Sequence, residues 1–230
     1  MKKGVCVVVG VGPGNGTAIA KKFAAEGYQV ALCARNKQRL EKISTVIEGS
    51  HVYSYDVQKP EDHQKVFSQI REELGPVKVL IYNAGVGEFS NIEEATPESF
   101  QVAWEINARG LFLAAKQVLP DMKLNRNSNI VVIGATASVK GGANSAPFSS
   151  AKAAQRGLVQ SMAKHLGPQK IHVSYVILDG IVQSGKPIQG YSDENFMDPA
   201  QIAETVYFLT QQPSQAWTFE LDLRTFGERW

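Results

Sequence analysis

Short apolar runs alternate with helix-spaced apolar positions along the chain. The runs cover residues 5–9, 29–33, 52–55, 77–82, 130–133, 172–177 and 219–223. Between them apolar side chains recur three and four residues apart, as in Ala18, Ala20, Phe23 and Ala24 or in Val66, Ile70 and Leu74. That spacing predicts helices with one buried face. Runs that are apolar on both faces and separated by helices predict a parallel sheet covered on both sides. With right-handed crossovers the simplest topology is a doubly wound α/β fold built on a mostly parallel, seven-stranded sheet. Phe219, Leu221 and Leu223 alternate with polar residues, so the last run reads as an edge strand with one buried face. No linker, repeat or shift in composition interrupts the pattern, and residues 1–230 read as a single domain.

Composition changes this picture little. Hydrophobic residues make up 43% of the 230 positions and charged residues 20%, an ordinary balance for a globular protein with a sizeable core. A net charge of +2 with dispersed basic residues makes no case for nucleic acid or a membrane as partner. Cys6 and Cys33 sit in apolar runs without a Cys or His at metal-ligand spacing, so buried reduced thiols and no metal site are expected. Such thiols suit a cytoplasmic location. The run after Lys3 is too brief for a signal peptide, and no stretch approaches the roughly 20 apolar residues of a membrane span.

The chemistry begins where the first run ends. Gly10-Val-Gly-Pro-Gly-Asn-Gly16 leads into a helix that starts near Thr17. Such a turn needs residues without a Cβ, both for its backbone angles and for close approach to phosphate. The amides at the start of the following helix then face an anion. The common dinucleotide spacing Gly-x-Gly-x-x-Gly is not met, because from Gly10 and Gly12 the third place falls on Asn15. The second run ends at Cys33-Ala-Arg-Asn36, where no acidic residue is available for an adenosine ribose. The Arg35 guanidinium suits a 2′-phosphate, so NADP(H) is favoured over NAD(H).

Gly10, Gly14 and Gly16 fit another spacing, Gly-x-x-x-Gly-x-Gly, and further motifs follow in order. Asp56-Val57 comes after the third run and Asn83-Ala84-Gly85 after the fourth. Asn107 lies in Trp104-Glu-Ile-Asn-Ala-Arg-Gly110, and Lys152 in Ala146-Pro-Phe-Ser-Ser-Ala-Lys-Ala-Ala154. In this order and at these intervals the chain resembles the short-chain dehydrogenase/reductase family over most of its length. The resemblance implies a single NAD(P)-binding Rossmann-fold domain. It implies that Gly10, Gly14, Asn15 and Gly16 form the phosphate loop and that Asp56 and Val57 contact adenine. Asn83, Ala84 and Gly85 would shape the cofactor pocket. Lys152 would hold the nicotinamide ribose, and Asn107 would help organise a water relay beside it.

The catalytic pattern departs from the family. Phe148 stands where the family has its proton-transferring Tyr, and Ala135 where it has the substrate-positioning Ser. The alternative Tyr of the superfamily's enoyl reductases falls on Ser145. Asn107 and Lys152 remain as catalytic candidates, while Ala135, Phe148 and Tyr191 are the substrate-pocket candidates. Three readings stay open. Another group supplies the proton: Thr136, Ser138, Ser149, Tyr191, or Lys152 through water or a ribose hydroxyl. Alternatively, the protein is a catalytically inactive NADP-binding sensor, subunit or scaffold. In the third reading the hydride acceptor, an activated C=C or a quinone-like compound, needs no phenol. The leading expectation is an NADP(H)-dependent oxidoreductase that reduces a small carbonyl or activated alkene.

Near the end, Leu178-Asp-Gly-Ile-Val-Gln-Ser184 keeps the family's Gly as Gly180, has Asp179 for its Pro, and offers Ser184 for the Thr that contacts the carboxamide. Asp179 reads as a turn cap, and as a substitute acid only if burial raises its pKa. Tyr191, Phe196 and Met197 in residues 185–199 suit either a lid or packing. Phe226 and Trp230 suggest docking on this subunit or a neighbour. The family's pairing through helices at about residues 99–122 and 146–166 implies a homodimer or homotetramer.

Overall fold

The computed structural model describes residues 3–125, 127–185 and 193–228. Their strands are β1 (Val5–Val9), β2 (Gln29–Ala34), β3 (Ser50–Ser54), β4 (Val77–Tyr82), β5 (Ser128–Ile133), β6 (Ile171–Asp179), β7 (Ile181–Val182), β8 (Phe196–Met197) and β9 (Glu220–Arg224). Their helices are α1 (Asn15–Ala25), α2 (Lys37–Ser44), α3 (Pro60–Leu74), α4 (Pro97–Trp104), α5 (Gly110–Leu124), α6 (Ala146–Leu166) and α7 (Pro199–Gln211). Seven strands form one sheet in the order β3-β2-β1-β4-β5-β6-β9, every neighbouring pair parallel. This is the doubly wound Rossmann arrangement that the alternating pattern predicts. The short strands β7 and β8 pair separately beyond its edge.

Alternation within β1 shows why both faces had to be apolar. Val5, Val7 and Val9 join a core cluster with Phe67 of α3, Leu111 and Val118 of α5, and Val159 of α6. Cys6 and Val8 point the other way, toward Ile19 and Phe23 of α1, Leu40 of α2 and Val206 of α7. Each layer of helices removes one face of the sheet from water. The outermost strands are different. β3 begins at Ser50, two residues earlier than the apolar run, because Ser50 and His51 pair with Val30 and Ala31 through backbone alone. At the other edge Leu221 and Leu223 of β9 pack on one cluster while the preceding Phe219 packs on the opposite one.

Two local features bear on the site. At its carboxyl end β1 is flanked by β2 and β4, Val9 pairing with both Cys33 and Tyr82. Successive crossovers leave in opposite directions there, opening the crevice where ligands of such sheets bind. Between α4 and α5 the helix widens into a π-turn at Glu105–Arg109, a feature common at functional sites. The Ile106 carbonyl in this turn accepts the Tyr82 hydroxyl. No helix among the described residues is long and apolar enough to cross a membrane.

Candidate functional site

A cleft of about 600 Å³ opens at the β1/β4 switch. Its lining includes Gly10, Asn15, Gly16, Arg35, Asp56, Val57, Asn83, Ala84, Gly85 and Ser184. Sequence-predicted cofactor residues from five separate segments therefore converge there, while Lys152 and Gly180 are not part of the lining. Gly14 sits on the rim as the residue before α1, with φ 94°.

Steric demands explain the glycines. Gly10 has φ 91°, and a Cβ on it would stand 2.4 Å from the Ala84 nitrogen. On Gly16 a Cβ would lie 2.7 Å from the Gly10 carbonyl oxygen. The loop is locked to β4 by Asn83, whose Nδ2 donates to the Gly10 carbonyl at 2.7 Å while its backbone NH donates to Val9 at 2.8 Å. A side chain at either glycine would displace this backbone. Asn15 Oδ1 is buried there without a hydrogen-bond partner among the described residues. This cradle fits the phosphates of a dinucleotide, with the amides at the start of α1 beside it.

At the other end of the cleft's glycine loop lies an exposed basic corner. Arg35 and Arg39 both line the cleft, and Asp56 is the one acidic residue among its described lining. Asp56 is occupied locally: its Oδ1 accepts from the Gln58 NH at 3.1 Å, and its own NH donates to Asp62 at 3.0 Å. Arg39 was not among the sequence candidates. Its signal was its place one helical turn after Arg35, on a helix capped by the Asn36 side chain at 2.9 Å.

Asn107 and Lys152 meet at Gly85. A Cβ on Gly85 would stand 3.0 Å from Asn107 Oδ1 and 3.6 Å from Lys152 Nζ. The missing side chain leaves both groups facing the inner cleft. Asn107 is fully buried in the π-turn, its Nδ2 held by the Ala103 carbonyl at 2.9 Å and the Val86 carbonyl at 3.1 Å. Its Oδ1 is left without a partner among the described residues. Lys152 Nζ donates to the Ile133 carbonyl at 3.2 Å and to Gln155 Oε1 at 3.1 Å. No carboxylate among the described residues balances it, and burial pulls its pKa down to about 8.

The substrate-pocket candidates lie on different elements. Ala135 begins the turn after β5, next to Gly134, which packs against the Tyr175 ring. Phe148 lies half-buried against Phe89, ring centroids 5.2 Å apart. Tyr191 lies outside the described residues. Two of the alternative proton donors are tied up. Thr136 donates to Asp179 at 2.6 Å, and Asp179 also pairs with Arg224 at 3.2 Å. Ser149 shares a hydrogen bond with Ser145 at 2.7 Å. Asp179 thus acts as a structural acceptor, and Gly180 beside it (φ 143°) packs on Met197. Met197 is buried in the core, so its role is packing, whereas Phe226 stands 90% exposed and docks on none of the described residues, and Trp230 lies outside them. Among the described residues, no group of three or more His, Cys, Asp or Glu could hold a metal ion.

Comparison with known proteins agrees with this architecture. The model of the family described as short chain dehydrogenase matches residues 4–187. The chain is 29% identical to carbonyl reductase family member 4 of Danio rerio, covering 91% of this chain and 92% of that one. It superposes with a TM-score of 0.89 and 29% identity on an alcohol dehydrogenase from the archaeon Thermococcus sibiricus complexed with 5-hydroxy-NADP, covering 98% of each chain. An actinorhodin polyketide ketoreductase with NADPH gives a TM-score of 0.88 at 25% identity, again over 98% of each chain. With its parallel sheet, its glycine loop at the β1/β4 switch and a family match over most of its length, this chain belongs to the short chain dehydrogenase family.

Proposed function

We propose that the protein is an oxidoreductase that uses NADP(H) in preference to NAD(H) and reduces a small carbonyl or activated alkene. The observation that carries this reading is the cleft lined by a phosphate-sized glycine cradle, Arg35 and Gly85, with Asn107 and Lys152 meeting at Gly85. The similar structures with 5-hydroxy-NADP and NADPH support the cofactor, and the carbonyl reductase relative supports the carbonyl class.

In this reading Gly10, Gly14, Asn15 and Gly16 hold the pyrophosphate, Arg35 the 2′-phosphate, and Asp56 and Val57 the adenine side. Asn83, Ala84 and Gly85 shape the middle of the pocket, Gly180 and Ser184 border the carboxamide, and Lys152 holds the nicotinamide ribose. The bound cofactor supplies hydride. The chain's part is to orient it and to manage one proton. Phe148 has no proton to give, and Thr136 and Ser149 are hydrogen-bonded elsewhere. Ser138 Oγ is buried without a hydrogen-bond partner among the described residues, and Tyr191 lies outside them. Along with Ser138, Lys152 Nζ is a proton-bearing group at this end, partly protonated near its pKa of about 8. Ala135 and Phe148 remain the proposed substrate-pocket residues, with Tyr191 outside the described residues. Exposed Phe100, Trp104 and Phe112 on α4 and α5 suit assembly as a homodimer or homotetramer.

The absence of a phenol at Phe148 favours a second reading, an NADP-binding sensor, subunit or scaffold without turnover. Titration with NADPH and NADH, followed by tryptophan fluorescence and heat, comes first, and then NADPH consumption with a panel of ketones, aldehydes and enones. NADPH-preferring binding with turnover is the expected result. Binding without turnover on any of them would favour the second reading, and no binding of either nucleotide would overturn both.

A further inference from the structure

We infer that Gln155 is a positioning residue of this site: its carboxamide bridges Lys152 to the backbone of Asn107 and so fixes the lysine head group at the inner end of the cleft. The inference rests on reading the cleft as a dinucleotide site.

Gln155 follows Lys152 by three residues on α6, so the two share a helix face. It is fully buried, and every contact of its amide is with the site or its support. Oε1 accepts from Lys152 Nζ at 3.1 Å and from the Tyr175 hydroxyl at 3.3 Å. Nε2 donates to the Asn107 carbonyl at 2.7 Å. The chemistry of the partners dictates which end of the amide is which. A flipped amide would aim its NH₂ at an ammonium and its oxygen at a carbonyl, losing the bonds to Lys152 and Asn107 and keeping only that to the Tyr175 hydroxyl, which can also accept.

The consequence for Lys152 follows from counting donors. An ammonium carries three protons. One goes to Gln155 and one to Ile133, which leaves one for the cleft beside Gly85. A lysine side chain free to sample its rotamers would lose entropy on meeting a ligand. Here that loss is incurred on folding, so the head group meets the ligand already oriented. On the Asn107 side the same amide ties α6 to the π-turn that presents the unpartnered Oδ1. A glutamine in a helix interior costs stability unless its polar atoms are satisfied. Lys152 and Gln155 are the polar members of a buried helix face otherwise made of Pro147, Ala151, Val159 and Leu166.

The test compares NADPH with 2′,5′-ADP, which reaches only the adenosine end. Gln155→Leu should weaken NADPH about tenfold, the scale of one hydrogen bond to a charged group, and leave 2′,5′-ADP within twofold. Gln155→Met, unbranched and of similar length, serves if the leucine variant does not fold. Equal weakening of both ligands would mean that Gln155 only supports the fold and would overturn the inference, as would no change in either. Failure of the wild-type protein to bind either ligand would instead remove the dinucleotide reading itself. A second readout needs no cofactor: the titration of Lys152 followed by NMR on ¹³C-labelled lysine. Gln155→Leu should lower the midpoint by removing an acceptor from the charged form, and Gln155→Glu should raise it by about 1 to 3 units through the opposite charge. A midpoint unmoved in both variants would overturn the bridge.

Discussion

Lys152 Nζ stands 6.0 Å from the centroid of the Phe148 ring, the two residues one turn apart on α6. The ring thus lies where a hydroxyl would adjoin the lysine, yet it offers only a weak attraction between cation and π face.

Adding a hydroxyl there tests whether the lack of a phenol limits the proposed chemistry. Phe148→Tyr combined with Ala135→Ser should raise kcat for carbonyl reduction by about 10² to 10⁴, the usual contribution of a positioned general acid. Steady-state NADPH oxidation with a ketone that the wild-type protein accepts slowly is the measurement. A gain below tenfold, or loss of a native activity, would point to a site built for a different acceptor.

Arg35 controls the choice of nucleotide in the proposed function. It is exposed at the basic corner, so its contribution is tested by binding rather than by stability. Arg35→Ala should weaken NADPH about tenfold to a hundredfold, the scale of charge-assisted hydrogen bonds to a phosphate, and leave NADH within twofold. Calorimetric titration of both nucleotides decides it. Parallel weakening of NADH would show that Arg35 does not read the 2′-phosphate.

Burial of Lys152 makes folding stability depend on pH in a defined window. Its pKa in the folded chain is about 8, below the ordinary 10.5, so between these values the unfolded chain binds more protons. Stability from this residue therefore rises with pH across that window, and the cost of the buried charge is full below it. Relative to Lys152→Met, the wild-type protein should gain roughly 3 kcal/mol between pH 8 and 10.5. Urea unfolding of both proteins at several pH values measures this. A difference that stays flat across the window would show that the ammonium is not desolvated.

His63 supplies the acid side. It is buried beneath Tyr55 and Val57, which line the cleft. Its Nε2 donates to the Val57 carbonyl at 3.0 Å, so Nδ1 accepts the Tyr55 hydroxyl and the ring is neutral. Burial lowers its pKa from the ordinary 6.5. As pH falls below 6.5 the unfolded chain takes up this proton before the folded one, so stability is lost toward acid. His63→Leu should cost about 1 to 3 kcal/mol at neutral pH through the stranded polar partners, yet show a shallower loss between pH 7 and 5. Thermal melts over that range give the slopes. Because His172 is also buried with a lowered pKa, the slope should shrink rather than vanish. An unchanged slope would clear His63 of the effect.

Much of the fold was legible in the amino-acid order because its causes are local or periodic. Strands buried on both faces must be apolar at successive positions, as in Val5 to Val9, and helices over them must repeat every three to four residues. The glycine loop was equally legible, since Gly10 has to adopt a positive φ and Gly16 has to admit backbone at 2.7 Å. Polar residues inside elements were not. Ser50 and His51 enter β3 through backbone pairing at a sheet edge, a contact that leaves no apolar mark. The π-turn at Glu105–Arg109 carries no periodicity of its own, since one widened turn is too short to shift the pattern of its flanks.

The site divides along the same line. The short sequence Phe148 to Lys152 already put a phenyl ring beside a lysine, because one helical turn brings those positions together whatever the rest of the chain does. What surrounds them was settled by long-range packing. Thr136 meets Asp179 across 43 residues, and Gln155 meets Asn107 across 48, contacts that exist only once β5, β6 and α6 are assembled. The pKa of Lys152 is likewise a property of the assembled protein, since desolvation arises from neighbours that sequence spacing does not reveal. The chain order by itself determined which groups are available to the chemistry. The tertiary structure decided which of them are free to act, because hydrogen bonding and burial are set by what packs nearby.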